Sequence, residues 1–107
     1  MNRGSVFWIN LEPTTPPELG KLRSATVASN ATCNARLDSL VVVPLSTKAP
    51  EIWPLRVGVA VPRGKRSFAV VPGIRQVSKA RLHERIGDLA PDELARVDEA
   101  LTVYLGS

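Results

Sequence analysis

Residues 40–47 read Leu-Val-Val-Val-Pro-Leu-Ser-Thr, and Leu40 to Leu45 is the longest apolar run of the chain. Six apolar residues dominated by valine read as a buried β-strand. The run is far short of the ~20 apolar residues that a membrane-crossing helix needs. In an extended strand, neighbouring side chains point to opposite faces. Val41, Val43 and Leu45 then share one face, and Val42, Pro44 and Ser46 the other. The first set is wholly apolar and is expected to face the core, with Ser46 outward. Thr47 points inward by strict alternation, unless the strand ends before it.

On the N-terminal side, Val6 to Leu11 is apolar and aromatic and reads as a first strand. Glu12 to Gly20 holds three prolines and reads as a loop. Ser24 to Ser29 reads as a second strand, and Asn30 to Asp38 as a polar connection. On the C-terminal side, Ile52 to Val61 is a strand region interrupted by Pro54. Arg63 to Arg66 is a basic turn, Ser67 to Val71 a strand, and Arg75 to Val77 the last long-range pairing. A short helical turn is expected near Lys79 to Leu82. The end is helical: Pro91 opens it, Asp92 and Glu93 suit its N-terminal dipole, and Leu94, Val97, Leu101 and Tyr104 keep helical spacing up to Gly106. Ala90 is a weak N-cap. Short strands with one terminal helix, in 107 residues, predict a single domain over 1–107: a small, mainly antiparallel barrel.

Net charge is +4, unevenly placed. Residues 1–83 hold twelve Lys/Arg against four Asp/Glu, whereas 84–107 hold two against six. Such a basic body suits a polyanion-binding face, and equally an uneven solvated surface. One cysteine, Cys33, allows no intrachain disulfide and fits a reducing, cytoplasmic setting. No signal peptide is read, because Arg3 precedes only Val6 to Ile9 before polar Asn10 and Glu12.

Much chemistry is excluded. One histidine, His83, rules out a two-histidine acid/base pair within the chain, and one His with one Cys makes no ordinary zinc site. His83 sits in a charged stretch and reads as a surface residue. Gly58 to Ser67 fails as a phosphate loop: the glycine spacing is wrong, Arg66 occupies the Ser/Thr position, and a strand follows. Cys33 has no histidine near it in sequence and reads as a passive thiol. Arginines, hydroxyls and lone carboxylates remain. That inventory suits RNA cleavage, because RNA brings its own nucleophile, the 2′-OH. The enzyme has only to align the sugar and stabilise a charged phosphorane, which a guanidinium fork does well. No metal and no cofactor is expected.

The chain resembles the MazF/PemK toxins. The resemblance rests on Arg3-Gly4, Trp8, Asn10-Leu11-Glu12-Pro13, Glu18, Gly20, Lys21, Arg23, Val27 and Ser29-Asn30. The middle strand Val41 to Thr47 joins them, as do Arg75-Gln76-Val77, Arg81-Leu82, Arg85-Ile86-Gly87 and the terminal helix. It implies an SH3-like barrel of the CcdB/MazF/PemK type that dimerises. It also implies a metal-independent, sequence-specific endoribonuclease that cuts single-stranded RNA and is held by an acidic antitoxin. DNA is met only through that antitoxin, and no membrane is involved. Carried over residue by residue, Arg23 and Ser46 are catalytic, with Glu18 and Thr47 accessory. Lys21, Lys48, Arg63, Lys65, Arg66 and Arg75 are candidate RNA contacts. The chain departs from the family at Pro16-Pro17 before Glu18, at Ser24 after Arg23, at Ser46 in place of threonine, and at Pro72-Gly73. Three alternatives stand beside this reading: a barrel of the same fold that binds gyrase, as CcdB toxins do; a family member that binds RNA or antitoxin without cutting; and an Arg23 that merely protects a strand edge.

Overall fold

A computed structural model describes residues 2–11, 22–48, 50–61 and 66–106. Among them lie seven strands and two α-helices: β1 (Ser5–Asn10), β2 (Leu22–Val27), α1 (Ala31–Arg36), β3 (Ser39–Ser46), β4 (Arg56–Ala60), β5 (Arg66–Val70), β6 (Arg75–Ser78), β7 (Leu82–Asp88) and α2 (Pro91–Leu105). The described pairings are antiparallel and run in the order β4-β5-β3-β2-β1-β7, with β6 also on β3. β4 and β7 do not pair, so the barrel-like sheet is curved but not closed.

The central strand is β3, built from the valine run, and both of its faces are buried. Val43 and Leu45 join Val6, Val57, Ala69 and Val97 in one core. Leu40 and Val42 join Ile9, Ala25, Val27 and Val77 in a second. Val42 is completely buried, so its face is not the solvent face that the apolar count predicts. One face of β3 changes character along its length: Leu40 and Val42 are core, while Pro44 and Ser46 emerge into a groove.

Two elements differ from the sequence reading. The connection 30–38 contains α1, started by the Asn30 side chain, which accepts the Cys33 backbone N–H at 2.9 Å. The last long-range pairing is β7, which pairs with β1, rather than the segment 75–77. Leu82-His83-Glu84-Arg85 is charged and does not alternate, and the β1/β7 register slips twice, which removes the period-2 signal. α2 begins at Pro91, as expected. Ala90 gives no side-chain cap, but Glu93 Oε1 accepts the Ala90 N–H at 3.2 Å, and Gly106 ends the helix in the left-handed region. Its buried stripe is Val97, Ala100 and Leu101.

Candidate active site

The site starts where two strands part. β2 and β3 pair from Val27↔Val42 to Ala25↔Pro44, and the ladder then stops, although β2 extends to Leu22 and β3 to Ser46. Beyond this fork lies an open groove of about 550 Å³. Because it is a gap between strands and not one sheet face, side chains from both faces reach it. Carrying the register two residues past Ala25↔Pro44 sets Arg23 opposite Ser46 at its mouth. On its other flanks Arg23 pairs with Ile9 and Ser46 with Phe68, so each backbone is held by a further strand.

Three cations line the groove: Arg23, Lys48 and Arg56. Most other described cations are engaged elsewhere. Arg3 bonds Asp98 and the Ala28 carbonyl. Arg75 donates to the Leu11 carbonyl at 2.7 Å, Lys79 to the Asn34 carbonyl, Arg81 to the Asn10 carbonyl, and Arg85 and Arg96 to carboxylates. The side chains of Arg23, Lys48 and Arg56 have no protein acceptor among the described residues. No Asp, Glu or His is among the described groove residues. The described lining therefore concentrates positive charge, which suits a phosphodiester.

Hydroxyls complete it. Ser46 Oγ accepts the Lys48 backbone N–H at 3.2 Å. That bond occupies a lone pair, leaving the Ser46 hydroxyl proton for a ligand. Thr47 follows the last residue of β3, is exposed, and also lines the groove. Strict alternation therefore does not carry it inward. At the other end Trp8 and Leu22 are 40% and 44% exposed and line the groove with Leu11. The residue across from Trp8 is the small Ser24, which leaves the indole uncovered on that side.

Of the candidate residues, Arg23, Ser46, Thr47 and Lys48 come together. Arg75 is directed to Leu11 O, and Arg66 lies over the Phe68 ring at 5.9 Å; neither lines the groove. Glu18, Lys21, Arg63 and Lys65 lie outside the described residues. Sequence reasoning passed over Arg56 as a site residue, and gave Trp8 no role in the groove. Both sit inside strand segments, where the pattern offers no sign of which face opens to solvent. His83 is exposed on β7, away from the groove, and Cys33 is exposed on α1. Among the described residues no three His, Cys, Asp or Glu stand together to hold a metal, and no helix is long and apolar enough to cross a membrane.

A family model described as PemK-like, MazF-like toxin of type II toxin-antitoxin system matches residues 2–105. Endoribonuclease MazF9 of Mycobacterium tuberculosis (strain ATCC 25618 / H37Rv) is 30% identical over 113 residues, covering 98% of this chain and 96% of that protein. MazF of Deinococcus radiodurans has a TM-score of 0.82 at 25% identity, over 100% of this chain and 97% of the other. A MazE-MazF structure from the same organism (Form-II) has a TM-score of 0.82 at 25% identity, over 99% and 96%. An endoribonuclease of a mycobacterial species, solved in complex with its cognate antitoxin, shares the fold, with a TM-score of 0.82 at 21% identity over 99% and 95%. With the family model spanning nearly all of it, the chain belongs to the PemK-like, MazF-like toxins of type II toxin-antitoxin systems.

Proposed function

We propose that this chain is the endoribonuclease toxin of a toxin–antitoxin pair, and that it cuts single-stranded RNA in the groove between β2 and β3. The observation that carries the reading is that Arg23 and Ser46 line one groove whose described lining holds no carboxylate. The 2′-OH attacks the adjacent phosphorus, the P–O5′ bond breaks, and the products are a 2′,3′-cyclic phosphate (or the 3′-phosphate it hydrolyses to) and a 5′-OH. Arg23 grips two phosphate oxygens with its fork, and the Ser46 hydroxyl donates to one of them as charge develops. The described lining offers no imidazole or carboxylate base, so the 2′-OH proton leaves to water and the 5′ oxygen takes one from water. Glu18 matches an acidic loop position that the family resemblance sets near this site, as a candidate accessory residue. Trp8 gives a base a ring to stack on, which an unpaired strand can use and a duplex cannot.

The same cationic groove suits an acidic antitoxin segment, and a relative has been solved in complex with its cognate antitoxin. The reading includes a homodimer, a single domain over 1–107 and a cytoplasmic setting, with DNA met only through the antitoxin. The test is incubation with single-stranded RNA in EDTA, followed by analysis of the fragment ends. Fragments that a kinase can label at their 5′ ends without phosphatase treatment are expected. Arg23→Lys should be nearly as inactive as Arg23→Ala, because a point charge does not span two oxygens. Fragments with 5′-phosphate, or full activity in Arg23→Ala, overturn the mechanism. RNA bound but never cut supports the binding-only alternative.

A further inference from the structure

We propose that Arg56 is a second catalytic arginine, meeting the scissile phosphate from the β4 side of the groove while Arg23 meets it from β2. This inference rests on the reading of the groove as a ribonuclease site. In the strand order β4-β5-β3-β2, Ser46 on β3 lies between the two arginines. The sheet curves enough for all three to line one groove.

Arg56 is held firmly at its backbone. Its N–H donates to the Ile52 carbonyl at 2.6 Å, the Ile52 N–H donates back at 3.1 Å, and β5 pairs it with Val70 on the other side. Its guanidinium has no acceptor among the described residues. The carboxylate of the neighbouring loop, Glu51, is directed elsewhere: it accepts from Arg96 at 2.6 Å and from the Gly58 N–H at 2.9 Å. A pinned, half-buried arginine without a counterion among the described residues, facing a cationic groove, is poised for a ligand oxygen.

Charge arithmetic gives it a role distinct from binding. A phosphodiester carries one negative charge, and the phosphorane formed by 2′-oxyanion attack carries two. One guanidinium matches the ground state; a second acts on the charge that appears only in the transition state, and such contacts raise kcat and not affinity.

The experiment measures kcat and KM separately for Arg56→Gln and Arg56→Lys on a short single-stranded RNA, with the wild type and Arg23→Ala alongside and thermal melts as fold controls. The expected result for Arg56→Gln is a kcat lower by ~10²-fold or more with KM within about threefold, the scale for one preorganised donor. Arg56→Lys should recover little. An unchanged kcat in folded Arg56→Gln overturns the proposal, as does a raised KM with unchanged kcat. If Arg56→Gln fails to fold, Arg56→Lys decides alone: wild-type kcat overturns the fork role. A wild type that cuts no RNA, or a fully active Arg23→Ala, sinks the underlying reading instead. The wild type active, Arg23→Ala dead and Arg56→Gln normal together sink only the proposal.

Discussion

Ser46 and Thr47 are adjacent hydroxyls on one groove wall, and their surroundings set them apart. Ser46 closes β3, is paired to Phe68, and has a lone pair held by the Lys48 N–H, so its oxygen is positioned and its proton is free to donate. Thr47 lies just past the strand, exposed, with no such bond among the described residues. An ordered donor contributes more to a transition state than one that must be ordered first. Ser46→Ala should therefore lower the cleavage rate by ~10²-fold, about 2.7 kcal/mol in the barrier, with Ser46→Thr active. Thr47→Ala should stay within a few-fold of wild type and, being exposed, should not lower stability. Single-turnover rates on one RNA substrate check all three. A dead Thr47→Ala beside a healthy Ser46→Ala would reverse the assignment. Arg23 and Ser46 could be singled out from sequence because the family resemblance marks them. Arg56 could not, because arginine on a strand reads the same whether it meets solvent or substrate.

The elements follow the same logic. β1, β3, β4, β5 and α2 were legible because each buries apolar residues at a regular period, so burial writes itself into the sequence. α1 was missed because six residues bury only Asn34, leaving the Asn30 cap as the sole signal. β7 was missed because its partner strand supplies the burial: only Ile86 of its seven residues is buried. The fork between β2 and β3 was invisible for a further reason, since where a ladder stops depends on the twist and curvature of the whole sheet. The N-terminal end of β1 shows how closely elements must fit. Gly4 has φ +86°, and a Cβ built on it would stand 3.1 Å from Leu94 Cδ2 of α2. Its N–H and C=O also link outward, to the Val27 carbonyl and the Leu89 N–H, both at 2.8 Å. Gly4→Ala keeps those bonds only by holding alanine in the left-handed region against a helix side chain. It should cost about 1–2 kcal/mol of stability from backbone strain alone. Urea unfolding measures this, and an unchanged midpoint would mean the chain relaxes there freely.

At the scale of the molecule, the uneven charge of the sequence becomes a division of labour. The acidic tail is largely engaged in holding the fold: Asp98 pairs with Arg3, Asp88 with Arg85 and the Ser5 hydroxyl, and Glu93 Oε2 accepts the Ala60 N–H on the outer edge of β4 at 2.6 Å. Arg85 first, and Ser5 second, hold the Asp88 carboxyl below its ordinary range. Its contribution is complete above that range and fades as acid protonates it. Many basic residues of the body are likewise bonded to protein, which leaves the groove cations Arg23, Lys48 and Arg56 for a nucleic acid. Each single-strand phosphate contact steepens the dependence of log affinity on log salt by about 0.7. Arg23 and Lys48, the two that meet the ground state, give a slope near −1.4, or roughly a 7-fold loss of affinity between 50 and 200 mM salt. Lys21, Arg63 and Lys65, if they also meet phosphates, would take the slope to about −3.5. Affinity for a 2′-O-methyl oligonucleotide, which cannot be cut, isolates this binding from cleavage. Lys48→Ala should flatten the slope by about 0.7 and weaken all sequences alike, because a phosphate contact carries no base information. A wild-type slope near zero would mean that stacking on Trp8, and not the cationic groove, holds the strand.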